Sequence, residues 1–156
     1  MGGRYPMEAL YDQDFYQWIQ RNAQLLRERK FTELDIDNLV EELESMGRSQ
    51  KRELISRLSV LIMHLLKWQH QAGRRTDSWI STIMEQRREL TLLIEDSPSL
   101  KHEVLSAMEK AYGLALTAFA RETGISRKSL SGSCPYTFDQ AMDNEFWPGE
   151  NTDVRL

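Results

Sequence analysis

Apolar residues recur at helical spacing over one long stretch of this chain, residues 34–71. Most successive apolar positions are three, four, seven or eight residues apart, and this spacing places their side chains on one face of an α-helix. The positions are Ile36, Leu39, Leu43, Met46, Leu54, Leu58, Leu61, Ile62 and Leu65. The pattern predicts one long amphipathic helix, continuous through Gly47, whose apolar face is covered by other helices.

Shorter segments with the same spacing predict the remaining helices. The predicted helix starts are Asp12, Asp35, Asp77 and Ser97-Pro98, and the predicted ends are Lys30, Gln71 and Gly124. Thr137 and Gln140 form a capping box for a short last helix over residues 138–144. Because no segment alternates apolar and polar residues over the length of a strand, we predict an all-α fold. The short connections favour an antiparallel up-down helical bundle of four main helices, one of them long, plus a short C-terminal helix.

The length and composition suit one soluble domain. We expect a flexible N-terminal lead over residues 1–10, a single helical domain over 11–147 and a polar C-terminal tail over 148–156. The N-terminus lacks the apolar core of a signal peptide, and the longest apolar run is far shorter than the ~20 residues that span a bilayer. The single cysteine, Cys134, excludes an internal disulfide and suits a reducing compartment. These features predict a cytoplasmic protein with no membrane contact.

Catalytic and metal-binding motifs are missing from the sequence. The three histidines, His64, His70 and His102, are not preceded by the Glu-x-x-His spacing of di-iron bundles, and HExxH does not occur. Cys134 has no identifiable base beside it, and no glycine-rich phosphate loop is present. We therefore expect no catalytic residues, no metal and no cofactor, and the chain is more typical of a non-enzyme.

An aromatic and cationic group lies where the second and third predicted helices meet. Antiparallel geometry around the turn brings Trp68 near Trp79, with Arg75 in the turn and His64 one turn deeper. As a binding site, these four residues would form a small recognition pocket, because Trp and Arg are enriched at binding hot spots. The structural interpretation is favoured: the tryptophans close the end of the core and the arginine stacks on them.

Acidic residues also cluster, near the start of the long helix. Glu41 and Glu44 lie one turn apart and are placed to share a cation. The favoured interpretation is a solvated face whose charges are balanced by basic residues at spacings of three, four or seven. Those basic residues are Arg48, Lys51 and Arg52.

An ordered series of motifs resembles a known protein family. The motifs are DFYQW, LLRERKFTELDIDNLVEELESMGRS, LSVLIMHLLKWQHQ, SWISTIMEQRREL, SPSLKHEV and CPYTFDQAMDNEFWP. Over about residues 10–148 the chain resembles the family called domain of unknown function 29. The resemblance implies a helical, soluble, bacterial protein, of a family widespread in cyanobacteria, and it brings no activity and no catalytic residues.

The function favoured by the sequence is a non-catalytic helical module that binds another protein or a second copy of itself. Its aromatic residues, among them four Trp and five Tyr, exceed the needs of one small core. A nucleic-acid-binding accessory protein is one alternative, although the net charge of -4 disfavours it. Its binding residues would be Arg48, Lys51, Arg52, Arg74, Arg75, Arg87 and Arg88. A metal-dependent hydrolase on a helical bundle is the other alternative.

Overall fold

The computed structural model describes residues 6–149, except the side chain of Glu8. Within these residues the chain forms six α-helices and no strand, so the predicted all-α fold is confirmed. The helices are α1 Met7–Gln13, α2 Phe15–Arg27, α3 Ile36–His70, α4 Asp77–Asp96, α5 Val104–Thr123 and α6 Phe138–Met142. Short 3-10 turns lie at Phe31–Glu33, Ala72–Arg74, Pro98–Glu103 and Arg127–Ser129. None of the helices in this part of the chain has both the length and the apolar content to cross a membrane.

The helix ends follow the capping chemistry, with three corrections. At Ser97-Pro98 a 3-10 turn begins, with no side-chain cap from Ser97, and α5 starts only at Val104. The predicted cap Asp12 lies inside α1. The residue that caps α2 is Asp14, whose carboxylate accepts from the Gln17 backbone amide. Helix α4 is capped by the Thr76 hydroxyl rather than by Asp77, because only Thr76 has the extended backbone that a cap requires. The capping box of Thr137 and Gln140 is present. At Gly124 the chain takes a left-handed conformation (φ 74°), which ends α5 as predicted.

Contacts group the residues into two compact units, Met1–Ser49 and Gln50–Leu156. Helix α3 contributes its first part to the first unit and the rest to the second, and it continues through Gly47 as predicted. The single domain over residues 11–147 stays a prediction. Residues 1–5 of the predicted lead and residues 150–156 of the predicted tail lie outside the described residues.

The second unit has a large apolar core. Helices α3, α4 and α5 bury their apolar faces together, and the segment around α6 packs against them. The side chains that are completely buried are Leu54, Leu58, Leu61, Ile62, Leu65, Ile83, Leu90, Ala111, Phe119 and Ala141. The second half of the predicted apolar face of α3 is therefore covered, as expected.

The first unit is held together by polar contacts around one tryptophan. The indole Nε1 of Trp18 donates to the buried Asp35 carboxylate (2.9 Å), which also accepts from the Asn38 side-chain amide (2.8 Å). Asn22 is buried too, and its side-chain oxygen accepts from the Asp35 backbone amide (3.1 Å). Tyr11 packs edge-on against Trp18 and donates its hydroxyl hydrogen to Glu42. These contacts fix the polar side of α3 against α1 and α2.

The predicted burial of the first half of α3 is therefore wrong. Ile36, Leu43 and Met46 are exposed, whereas the sequence placed them in the core. The physical reason is the polar network. Asp35, directly before α3, accepts from Trp18 of α2, and Glu42 on α3 accepts from Tyr11 of α1. This orientation leaves the apolar side of α3 facing outward.

We expect the substitution Asp35→Ala to weaken the first unit. It removes the acceptor of the buried Trp18 Nε1–H, and an unsatisfied buried donor costs about 1–3 kcal/mol. Hydrogen exchange of the α2 amides measures this loss locally. The matched control is Asp37→Ala, because Asp37 is an exposed carboxylate on the first turn of α3 and its loss costs less than about 1 kcal/mol. Equal acceleration of exchange in the two variants would contradict the proposed role of Asp35.

Candidate functional site

The predicted hairpin-end group is partly assembled around Trp68. The Arg75 guanidinium lies over the Trp68 ring, 4.5 Å from its centroid, and its Nε donates to the Trp68 carbonyl oxygen (2.9 Å). Trp68 itself is buried. Arg75 reaches the tryptophan because the 3-10 turn at Ala72–Arg74 brings the chain back immediately after α3. The predicted contact between Trp68 and Arg75 is present.

Trp79 and His64 make other contacts. The aromatic partner of Trp68 is Trp147 (4.8 Å between centroids) rather than Trp79, because the segment after α6 packs against the core of the second unit. Trp79 is half-buried and lies under the Lys67 ammonium (4.6 Å). His64 is also half-buried, and its Nδ1 lies 2.8 Å from the Val60 carbonyl oxygen. The sequence therefore located the tryptophan and arginine pair but missed Trp147.

Burial lowers the pKa of His64, and the hydrogen bond to the Val60 carbonyl opposes that shift only in part. His64 is neutral near pH 7, because its pKa lies below its ordinary value of about 6.5. Burial lowers the pKa of His70 as well. In the unfolded chain both side chains have their ordinary pKa. The unfolded state therefore binds more protons than the folded state as the pH falls below that value.

We expect the free energy of unfolding to fall on acidification from about pH 7.5 to about pH 5.5, because protons bind preferentially to the unfolded chain. The variant His64→Gln should lose less stability over the same interval, since glutamine does not titrate. Urea denaturation at the two pH values measures the difference. Identical losses in the variant and the unmodified chain would show that His64 does not contribute.

Arg87 is a buried polar residue of the second unit. The sequence analysis named it, together with Arg88, only as a residue of a candidate nucleic-acid-binding surface. Its Nε donates to the Ala141 carbonyl (2.7 Å) and its Nη2 to the Phe146 carbonyl (2.8 Å). The guanidinium also lies 5.3 Å from the centroid of the Trp147 ring. Arg87 thus holds the C-terminal segment onto α4. Its spacing, four residues after Ile83 and three before Leu90, places it on the buried face of α4 and is the sequence signal that could have distinguished it from Arg88.

A cleft of about 540 Å³ lies beside Arg87 on α4. Its walls carry charges of both signs, including Glu85, Glu95 and Arg88. Across residues 6–149 no group of three or more His, Cys, Asp or Glu side chains is arranged to hold a metal ion. Burial raises the pKa of the Cys134 thiol, so the sulfur is protonated near neutral pH and is a poor nucleophile. Cys134 is not among the residues that line the cleft.

The first unit presents an apolar surface on α3, and the sequence analysis had placed three of its residues, Ile36, Leu43 and Met46, in the core. Ile36, Val40, Leu43 and Met46 lie on the outward side of α3, with between 47% and 65% of each residue exposed. We call these four residues the exposed patch. Further large apolar side chains are exposed in the same unit, namely Phe15, Tyr16, Ile19, Leu26 and Phe31. Within the described part of this unit, the buried hydrophobic side chains are only those of Leu10 and Trp18.

A comparison with protein families identifies the chain at the level of its family. A family model described as domain of unknown function DUF29 matches residues 10–147. This range is nearly the whole chain, and it confirms the resemblance seen in the motifs. Searches of curated proteins and of solved structures find no match. The chain therefore belongs to the DUF29 family, whose description assigns no activity.

Proposed function

We propose that this chain is a non-catalytic helical module that binds a protein partner through the exposed patch. The observation that carries the proposal is the exposure of four large apolar side chains along one side of α3. Contiguous apolar surface is unfavourable in water and commonly marks an interaction site. The single cysteine and the family resemblance support a bacterial, cytoplasmic setting for this interaction.

The hairpin end has less support as the binding surface. Trp68 is buried and the guanidinium of Arg75 is engaged by its ring and its carbonyl, as expected for residues that close a core. A nucleic-acid surface also has little support. Arg87 is buried, Arg48 is paired with Glu41 (2.9 Å), and Lys51 is paired with Glu103 (3.3 Å).

Site-specific photo-crosslinking in cells of the native organism tests the proposal. A photoreactive amino acid at Leu43 is expected to capture a discrete partner. The same probe at Trp79 tests the hairpin end, and at the exposed residue Glu109 on α5 it serves as the control. Capture from Leu43 alone supports the exposed patch as the binding surface. Capture from Trp79 alone would assign the binding surface to the hairpin end instead. Equal labelling from all three positions would contradict a specific surface.

A further inference from the structure

We propose that the occupant of the exposed patch is a basic amphipathic helix of a partner protein. This inference rests on the proposed function and names the chemistry of the partner. The patch is the side of one helix, and its residues are four, three and three positions apart, a spacing that forms a continuous ridge. Residues 36–46 extend about 15 Å along the axis, which matches about three turns of a second helix.

Carboxylates form one border of the patch. At 100° per residue, Asp37, Glu41 and Glu44 follow Ile36 around the helix by about 80–140°. All three are exposed. Glu41 is paired with Arg48, whereas Asp37 and Glu44 have no ion-pair partner among the described residues. The balance with Arg48 that the sequence predicted is therefore present, but it neutralises only part of this acidic border.

The net charge of the whole first unit is negative, like that of the acidic border. Residues 1–49 contain ten acidic and six basic residues, so they carry the whole formal charge of -4 of the chain. A helix that lays leucines on the exposed patch would place its flanking residues beside the carboxylates. Lysine or arginine at those positions gains attraction, whereas glutamate or aspartate meets like charge. The charge of the surface therefore selects a basic partner.

A second copy of this chain fits the patch less well. Antiparallel pairing of two copies can match the apolar residues, with Ile36 of one copy opposite Met46 of the other. In that two-fold arrangement the same border of each helix faces itself, so Asp37, Glu41 and Glu44 of both copies lie along one seam. The like charges oppose association. Anionic lipid and nucleic acid are disfavoured for the same reason.

A matched pair of synthetic helical peptides tests this inference with the full-length protein. Both peptides have about 14 residues and the same leucine ridge; one carries lysine on both flanks and the other carries glutamate. Fluorescence anisotropy is expected to show the lysine peptide binding at least about tenfold more tightly, with a preference that shrinks as salt is raised. Leu43→Glu should abolish binding. Leu105→Glu is the control, because Leu105 is 82% exposed on α5 and is not part of the patch.

Charge reversal tests whether the acidic border contributes to binding or whether apolar contact alone accounts for it. In the triple variant Asp37→Lys, Glu41→Lys, Glu44→Lys, the glutamate peptide should become the preferred ligand. Circular dichroism checks that the variant remains helical; if it unfolds, the single variant Glu44→Lys is used and should reduce the preference for lysine. Equal binding of the two peptides, or an unchanged preference after reversal, would overturn the inference.

The remaining outcomes distinguish this inference from the proposed function. If neither peptide binds while the probe at Leu43 still captures a partner, the exposed patch is a binding surface but its occupant is not a basic helix. If both measurements fail, the proposed function fails as well. Sedimentation over a concentration series identifies a second copy: a dimer that Leu43→Glu dissolves would overturn the basic-helix inference. Binding to anionic vesicles that exceeds binding to the lysine peptide would overturn it too.

Discussion

The substitution Arg87→Ala is expected to lower the free energy of unfolding by about 2–4 kcal/mol. The Ala141 and Phe146 carbonyls would lose a charged donor, and the volume of a buried side chain would be emptied. The gain from removing a desolvated cation offsets part of this cost. Burial lowers the pKa of Arg87, because desolvation disfavours its charged form. The Nη1 atom, buried with no hydrogen-bond partner among the described residues, adds to that penalty.

Chemical denaturation measures the loss, and hydrogen exchange locates it. We expect the amides of residues 138–147 to exchange faster in Arg87→Ala than in the unmodified chain. The neighbouring substitution Arg88→Ala is the matched control. Arg88 is exposed, and its ion pair with Glu89 is long (3.7 Å), so the expected cost is under about 1 kcal/mol. Comparable losses from the two substitutions would show that Arg87 is not the residue that holds the C-terminal segment.

The substitution Trp68→Ala is expected to cost about 3–5 kcal/mol, the usual penalty for truncating a buried aromatic residue. Trp68 is buried and contacts both the Arg75 guanidinium and the Trp147 ring, and its truncation would remove both contacts. Trp79→Ala should cost only about 1–2 kcal/mol, because Trp79 is half-exposed. The larger penalty is therefore expected at Trp68, because Trp68 is buried and Trp79 is only half-buried.

Thermal and urea denaturation of the two alanine variants measure this difference. Trp68→Phe is an informative third variant, since it keeps an aromatic ring and removes an indole N–H that has no hydrogen-bond partner in the described part of the chain. We expect it to cost less than half of the Trp68→Ala penalty. A larger loss from Trp79→Ala than from Trp68→Ala would refute this account of the hairpin end.

Helix type and several helix ends could be predicted from the sequence because they depend on local chemistry. The apolar spacing across residues 54–65 gave a covered helix face, and the capping box of Thr137 with Gln140 started α6 where expected. The caps at Asp12 and Asp77 were misplaced by one or two residues. Neighbouring Asp and Thr side chains have similar capping preferences, and only the backbone conformation selects between them.

The candidate sites depended on contacts between distant residues. The pairing of Trp68 with Arg75 was predictable, since a short turn dictates which residues of two helices meet. The contact of Trp147 with Trp68 was not, because it joins residues 79 positions apart and no periodicity encodes it. Helical spacing from Ile83 and Leu90 places Arg87, and not Arg88, on the buried face of α4. Only the tertiary structure shows which carbonyl groups accept from Arg87, because these belong to Ala141 and Phe146, 54 and 59 residues further along the chain.

The exposed patch is the clearest example of a feature that the sequence predicts only in part and that the tertiary structure decides. By itself the sequence determined that α3 is long, continuous and amphipathic, because helix formation depends on residue spacing and propensity within the segment. It could not determine which side of the helix is covered. The tertiary structure decided that: hydrogen bonds from Trp18 and Tyr11 draw the polar side of α3 inward, and Ile36, Leu43 and Met46 are left facing solvent. An apolar helix face has the same sequence pattern whether it packs against its own chain or is exposed for a partner protein.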